Sequence, residues 1–457
     1  QGSLEEGEVT YCHPPPGYER TDSKGRRLVC KVVKPVYGMV QAGRRWQRTL
    51  YPWMREQLGP KSQLFSDSNV FSCVRTNIVN GTPRVERLIV GCYVDDLYIL
   101  ASHQDADSLY AQFTTSLQKR WDVEDEGVVS DLLGIEISST GSTVELKQEA
   151  YINKLVAIWF PDGVPSTLQS TKTPADADLA QHVADALSCD APRSAEDIRR
   201  FQSIVGALLY ASTNTRPDIA YAVGMLCRCM GKPTPALQDA ALRVLGYLHR
   251  TRHLGLRYEA DSTSAYGMTD SDWAVKHSTT GWVFMYNQAA ISWSSKKQTS
   301  VALSSCEAEI MAASEAAKEG IHLQRFLAEL GENASHPLSL STDNTGARDL
   351  AYNPEHHQRV KHIERRHFFI RECVENMQLK VPYVNTADNI ADFFTKSLSS
   401  KQFFKMRDQI MNVPPEHQHQ SSLRALRAIR ADRSPCGSTD GGVLNDELGS
   451  LTAEVIS

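Results

Sequence analysis

Nothing in the 457 residues approaches the roughly 18 uninterrupted apolar residues that a membrane helix needs. The opening, QGSLEEGEVTYC, also lacks the basic and apolar regions of a secretory leader. Ten cysteines are present without a pattern. Only Cys227 and Cys229 lie close together, which excludes a zinc site of two CxxC pairs and a disulfide framework. These absences point away from secretion and toward a reducing compartment. A basic surplus is missing too: the net charge is −5, so charge alone gives no sign of a phosphate-binding protein. What is present is 41% hydrophobic and 23% charged residues. That is enough for sizeable cores in two to four domains of roughly 150 residues each.

Local charge departs from the total. From Arg20 to Arg48 the chain carries Arg20, Lys24, Arg26, Arg27, Lys31, Lys34, Arg44, Arg45 and Arg48 against Asp22 alone. A second cluster, RVKHIERRHFFIR at 359 to 371, interleaves five basic residues with Phe368 and Phe369. Each cluster fits a solvated helix face or a phosphate-binding surface. The histidines His356, His357, His362 and His367 have no cysteine partners and sit among arginines, which argues against zinc.

Hydrophobic periodicity sets the expected elements. LIVGCYV and LYILAS read as two strands meeting at Asp95 and Asp96, a plain acidic turn on the simplest view. An amphipathic helix near Asp107 to Lys119 and a strand DLLGIEIS (131 to 138) suggest a sheet backed by helices. Residues 141 to 260 are mostly helical by period, with a new helix starting at Pro217. After about Asp261 come three short strands, SAYGMTDSDW, TGWVFMYN and AAISWSSKK, the last two joined by a tight turn near Asn287 and Gln288. A long helix Glu307 to Leu330 closed by Gly331, a strand PLSLSTDN, a helix about Lys361 to Asn376, a strand VPYVNT and a helix opened by NIADFFTK complete an α/β order. Beyond about Val413 the composition turns polar and order is not expected; Arg424, Arg427, Arg430 and Arg433, three apart, read as a solvated stripe.

Four acidic residues of the second half fall where strands end or helices begin: Asp270, Glu309, Asp343 and Asp392. Four converging carboxylates need a cation, and hard oxygen ligands suit Mg²⁺. Two such ions about 4 Å apart can drive phosphodiester cleavage. Ser304 and Glu307 have capping-box spacing, so Glu307 is assigned to the helix start and Glu309 to chemistry. Asp272 is read as a local backbone partner.

These residues resemble the Pol polyprotein of copia-type LTR retrotransposons, in its reverse transcriptase and ribonuclease H part, from about residue 2 to 405. The elements are VKPVYGMVQAGRRW, YVDDLYIL, LLGIEI, SIVGALLYASTNTRPDIAYAVGMLCRCMGKPT, SWSSKKQTSVALSSCEAEIMAASEAAKE, TDNTGARDLAYNPEHHQRVKHIERRHFFIRE and NIADFFTKSL. The resemblance implies that Asp95 and Asp96 are the paired metal-binding aspartates of a polymerase palm. Tyr93 would touch the primer end, Gln41 would line the nucleotide pocket, and Lys34, Arg44 and Arg45 would meet template phosphate. Asp270, Glu309, Asp343 and Asp392 match the ribonuclease H quartet, holding Mg²⁺ or Mn²⁺. The implied partners are an RNA template, a DNA primer, dNTPs and an RNA/DNA hybrid, with no membrane; the implied setting is a cytoplasmic virus-like particle or the nucleus.

The expected fold class is α/β: a partial palm (1 to 140), a helical thumb and connection (141 to 260), a ribonuclease H-like α/β domain (261 to 398) and a tail (399 to 457). The sequence departs from the family at its start. GSLEEGEV and PPPGY resemble a segment downstream of a third palm aspartate, so that aspartate, the fingers and the first palm strand are expected to be missing. Two-metal transfer needs that bridging carboxylate, so the expectation is that this chain alone does not polymerise DNA. WAVKHSTTGW is also shorter than the family's usual link between the first two ribonuclease H strands. The rival reading is a non-catalytic relic that binds nucleic acid through its basic clusters.

Overall fold

The computed structural model describes residues 9–33, 39, 42–79, 81–273, 277–332, 336–352, 364–418 and 452–456. Two compact units emerge, Gln1–Val129 with Asp446–Ser457, and Ser130–Asn445. The sequence suggested four stretches instead.

In the first unit, β1 (Thr10–Cys12) and β2 (Cys30–Val32) form an antiparallel ribbon. Helix α1 (Ala42–Leu58) follows, then β3 (Val70–Val79), β4 (Thr82–Tyr93), β5 (Asp96–Ala101), α2 (Leu109–Arg120) and β6 (Asp125–Val128). Leu97, Ile99 and Ala101 alternate inward along β5 and join Leu50, Trp53 and Met54 of α1 and Leu109, Phe113 and Leu117 of α2 in one core. The four-residue spacing on α2 places its three apolar residues on one face. Ser108 starts that helix by accepting the Ala111 N–H.

The second unit opens with β7 (Asp131–Leu132), β8 (Ile135–Thr140) and β9 (Thr143–Lys147). DLLGIEIS, expected as one strand beside the first sheet, is therefore a hairpin in a different sheet. Leu133 and Gly134 both take left-handed backbone, φ 54° and 75°, and reverse the chain there. Six helices follow: α3 (Glu149–Trp159), α4 (Ser166–Gln169), α5 (Leu179–Ser188), α6 (Ala195–Asn214), α7 (Ala220–Cys227) and α8 (Pro235–Arg250). Strand β10 (Leu256–Glu259) returns to pair with β9.

The TRPD stretch before α7 is a buried polar knot. Arg216 is fully buried and grips Asp218 with two hydrogen bonds of 2.9 and 2.7 Å. It also donates to the Thr251 carbonyl, while the Tyr247 hydroxyl donates to Asp218 at 2.7 Å. Every strong donor of the pair is matched, which is the condition for burying charge. Burial works against the Asp218 charge, but Arg216 beside it and the Tyr247 hydroxyl hold its carboxyl below the usual range.

The rest of the unit is β11 (Tyr266–Asp272), β12 (Thr279–Tyr286), β13 (Ala289–Lys297), α9 (Ser305–Glu329), β14 (Leu338–Ser341), α10 (Thr345–Tyr352), α11 (Glu364–Glu375), β15 (Leu379–Lys380) and α12 (Ser400–Ile410). The sheet order is β13-β12-β11-β14-β15, with β14 parallel to β11 and β15 parallel to β14. Asn287 and Gln288 make the expected turn, both with positive φ.

Three expectations change. The last strand is β15 rather than VPYVNT, where Pro382 offers no N–H and Tyr383 makes only an isolated bridge to Thr342. NIADFFTK forms a 3-10 turn, Ile390–Phe394, because Asn389 accepts the Ala391 N–H and ties the segment to the Thr269 carbonyl; the last helix comes later, as α12. Helix α10, capped by Asn344 accepting the Ala347 N–H, was not anticipated.

One core crosses the expected boundary at 260. Leu208, Val223 and Leu245 of the helices share a cluster with Val283, Met285, Phe394 and Phe403. Trp293 of β13 donates to the Ser212 carbonyl of α6 at 2.8 Å. Gly224 permits the closest approach, since a Cβ there would sit 2.8 Å from the Ser295 carbonyl.

Thr452–Ile456 (β16) belongs to the first unit, antiparallel to both β5 and β6, giving the order β3-β4-β5-β16-β6. The tail thus contains a strand, and Pro415–His417 makes a 3-10 turn, where no order was expected. The arginine stripe lies outside the described residues, as do the side chains of the four histidines. Of the second basic cluster, Arg371 is described: it is buried and lies over the Phe368 ring. Among the described residues, no helix is long and apolar enough to cross a membrane and the nine cysteines are free.

Candidate metal centre and acidic hairpin

Tyr93 pairs directly with Asp96, so Val94 and Asp95 form a two-residue turn. Val94 has φ 55°, a conformation that a β-branched residue adopts only at a cost of about 1–3 kcal/mol. Trp46 of α1 holds it there, its indole N–H donating to the Val94 carbonyl at 2.7 Å. Trp46 itself stands edge-on to Trp121, which stands edge-on to Trp53.

Asp95 is exposed and Asp96 half-buried, while Tyr93 is exposed. Burial, then the charges of Glu126 and Asp95, raises the Asp96 carboxyl. Arg44 is exposed, but Arg45 is buried, so it is not presented to a template phosphate as expected. Lys34 and Gln41 lie outside the described residues.

The second unit gathers carboxylates from distant segments. Asp270 lies on β11, Glu309 in the first turns of α9 and Asp343 just after β14; these three bring oxygens within 4.8 Å of one another. Two oxygens on one Mg²⁺ lie at most about 4.2 Å apart, so the trio needs little movement to close on a cation. Among the described residues, this is the group of three so arranged. Asp392, in the 3-10 turn, is the fourth acid and stands outside the trio, paired with Lys396 at 2.9 Å.

Burial and hydrogen bonding fix each group. Asp270, Glu309 and Asp392 are buried, whereas Asp343 is half-buried at the rim. The Thr395 hydroxyl bonds Asp270 Oδ2, and the Ser271 N–H donates to Glu309 Oε1 at 3.3 Å. Glu309 Oε2 and Asp392 Oδ1 are buried without a hydrogen-bond partner. Burial, followed by the charges of Asp270 and Asp343, pushes Glu309 up to about 9. Burial and Asp270 push Asp392 up to about 6, and burial raises Asp270 as well. Orphaned oxygens in a cluster of raised carboxyls fit a divalent cation, which would replace the missing positive charge.

The capping assignment is visible in the geometry. Ser304 accepts the Glu307 N–H at 3.1 Å and Glu307 Oε2 accepts the Leu303 N–H at 2.6 Å, leaving Glu309 to face Asp270. The supporting residues were not read from the sequence. Gln298 donates to the Ala308 carbonyl at 2.9 Å and to Thr280 at 3.0 Å, bridging α9 to the sheet. Gly281 leaves room for the Asp392 segment, since a Cβ there would lie 2.6 Å from Thr395 Cγ2. Asn389, Thr395 and Lys396 flank Asp392 within NIADFFTK, and that proximity is the one signal that could have found them.

Fold and pocket together define a class: a mixed helix-and-sheet protein with a cluster of three carboxylates close enough to share a cation and, in a separate unit, an acidic pair on a strained hairpin. Residues 1–159 match the family model described as reverse transcriptase (RNA-dependent DNA polymerase). The chain is 34% identical over 413 residues to the "Retrovirus-related Pol polyprotein from transposon TNT 1-94" of Nicotiana tabacum, covering 88% of this chain and 29% of that protein. It is 33% identical over 422 residues to the corresponding polyprotein from transposon RE1 of Arabidopsis thaliana, covering 91% and 27%. A putative transposon Ty5-1 protein of Saccharomyces cerevisiae is 32% identical over 239 residues, 51% of this chain and 73% of that one. The chain belongs to the reverse transcriptase-containing Pol polyproteins of copia-type retrotransposons. It spans under a third of the length of the plant relatives.

Proposed function

We propose that this chain supplies the reverse transcriptase and ribonuclease H part of a retrotransposon Pol polyprotein, and that its hydrolytic centre is the pocket of Asp270, Glu309, Asp343 and Asp392. The substrate under this reading is the RNA strand of an RNA/DNA hybrid. The observation that carries it is the pair of buried, unpartnered oxygens, Glu309 Oε2 and Asp392 Oδ1, beside the Asp270–Glu309–Asp343 trio. Bound there, Mg²⁺ or Mn²⁺ would supply an activated water and neutralise charge on the leaving oxygen.

The chain's own groups set the conditions. With its carboxyl raised to about 9 by burial and by the charges of Asp270 and Asp343, Glu309 favours its protonated form at neutral pH when no cation is bound. A cation must displace that proton, so metal affinity rises with pH toward about 9. Thr395 fixes the Asp270 carboxylate, and Lys396, 41% exposed, places an ammonium where a phosphate oxygen of the substrate can reach it. Choice of the RNA strand falls to the 2′-hydroxyl and the hybrid's groove shape.

Polymerisation from RNA template, DNA primer and dNTPs belongs, under the same proposal, to the Asp95–Asp96 unit. It requires a further carboxylate beside that pair to bridge two ions. The cellular setting is the cytoplasm, within a virus-like particle, or the nucleus.

A 5′-labelled RNA strand annealed to DNA, incubated with the chain and Mg²⁺, tests the hydrolytic reading. Shortened RNA is expected with the unaltered chain and none with Asp343→Asn. Gel retardation of the hybrid without cleavage would favour the nucleic-acid-binding relic.

A further inference from the structure

Beside the carboxylate pocket, strands β11, β12 and β13 end in a row of polar side chains. Asp272 pairs with Thr279, and Thr279 pairs with Lys297. Directly opposed residues of an antiparallel sheet share a face, and so do residues two apart on one strand. Asp272 therefore points to the same side as Asp270, one step further out, and it is exposed. Helix α7 packs against that side. Gly224 brings it close to Ser295, which lies in the row of Asp270 and Gly281.

Arg228 caps the C-terminal end of α7 and is half-buried. Its Nη2 donates to the Thr279 hydroxyl at 2.9 Å, while its Nε is buried without a hydrogen-bond partner. Two further cations stand near it. Lys297 is exposed opposite Thr279, and its charge reaches Cys229 together with that of Arg228. Lys396 comes from the pocket side, where it pairs with Asp392, and its charge acts on Asp272 as that of Arg228 does. With Lys396 matched by Asp392, Arg228 and Lys297 still outnumber Asp272. An acidic pocket repels a polyanion, so cations at its edge are where a nucleic-acid backbone is held. The planar guanidinium, with donors left over after Thr279, suits a phosphate.

We infer that Arg228, with Lys297 beside it, binds a backbone phosphate of the RNA/DNA hybrid at the edge of the pocket, so that the helical stretch before residue 260 supplies a substrate contact to the hydrolytic centre. Asp272 competes with that phosphate for the same cations and sets how tightly it is held. Because Gly224 lets α7 seat directly on the sheet, Arg228 keeps a fixed place relative to Asp270. The inference takes its ligand from the nuclease reading and rests on it to that extent.

Fluorescence anisotropy of a labelled hybrid with the full chain tests it, in EDTA so that no cleavage occurs and over about 50 to 200 mM salt. Arg228→Gln should weaken binding about tenfold. It should also make the plot of log affinity against log salt shallower by about 1, the mark of one lost phosphate contact. Arg228→Lys keeps the charge and should keep the slope. Asp272→Asn should tighten binding, and Asp239→Asn, an exposed acid on α8, should not. A purely structural Arg228 would lower the melting temperature in Arg228→Gln and leave the slope untouched, which overturns the inference. Should Arg228→Gln not fold, Asp272→Asn decides, and an affinity no tighter than that of Asp239→Asn overturns it. A parallel incubation with Mg²⁺ keeps the two readings apart. Cleavage with an unchanged slope sinks this inference alone, the expected slope change without cleavage sinks the nuclease reading alone, and a chain that neither binds nor cleaves the hybrid sinks both.

Discussion

The two acidic sites of this protein are built in opposite ways. Asp95 and Asp96 are neighbours in sequence, lie at a two-residue turn, and are exposed and half-buried respectively. Asp270, Glu309, Asp343 and Asp392 are scattered over 123 positions and three of them are buried, yet Asp270, Glu309 and Asp343 bring oxygens within 4.8 Å of one another. Successive residues of a strand point to opposite faces, so adjacency works against convergence, whereas strand ends and helix starts can bring distant residues together. The hairpin stores its tension in the backbone, at Val94. The pocket stores it electrostatically, in carboxyls that burial has raised. A cation relieves the second kind of tension directly.

The largest effect that separates the two sites is expected in pH dependence. Glu309 is raised from 4.5 to about 9 and Asp392 from 3.8 to about 6, so the folded chain binds more protons than the unfolded one between about pH 4 and 9. Stability without metal therefore falls as pH rises through that window. Thermal melts from pH 5 to 9 should show a falling midpoint, opposed by added Mg²⁺ and flattened in Glu309→Gln. A midpoint that rises with pH and ignores Glu309→Gln would contradict the electrostatic picture.

Next comes the frame around the pocket. Replacing Arg216 by leucine leaves the Asp218 charge buried without its ion-pair partner, with an expected loss of about 3–5 kcal/mol in urea unfolding. Because one core joins the helices to the sheet, removal of residues 1–129 should leave the pocket folded, while removal of 1–260 strips the partners of Val283, Met285 and Trp293. Circular dichroism and proteolysis of the two truncated forms would reveal whether they behave alike, the outcome that a boundary at 260 requires.

Smaller effects sharpen the roles within the pocket. Thr395→Val removes the donor to Asp270 and should weaken Mn²⁺ binding by about 10–100-fold, as loss of a metal ligand's supporting partner commonly does. Calorimetric titration gives that number, and an unchanged affinity would remove Thr395 from the site. Ser304→Ala should cost about 1 kcal/mol of stability with metal affinity retained, which separates the helix cap from Glu309 further along the helix.

Much of this was legible in the sequence because local signals agreed with the fold. The Ser304–Glu307 spacing, the Asn287–Gln288 turn and the apolar periods of α6 and α8 each rest on near neighbours. The approach of Asp343 to Asp270 was expected from motifs rather than from spacing, since the parallel pairing of β11 with β14 is what brings them together. The misreadings have tertiary causes. VPYVNT has strand composition, but β15 pairs just before it. NIADFFTK has helical composition, but Asn389 and Thr395 pin it to the sheet through Thr269 and Asp270. Arg45 was expected, with Lys34 and Arg44, to meet template phosphate, and it is buried on α1. Nothing local in TAEVI announces a partner more than 300 residues away on β5.

The central claim is that divalent metal binds at the Asp270–Glu309–Asp343 pocket rather than at the acidic hairpin. Titration of the full chain with Mn²⁺, followed by electron paramagnetic resonance, tests it in the unaltered protein, in Asp343→Asn and in Asp95→Asn. The account predicts that the tightest binding is lost in Asp343→Asn and kept in Asp95→Asn. Retention in Asp343→Asn with loss in Asp95→Asn would contradict it.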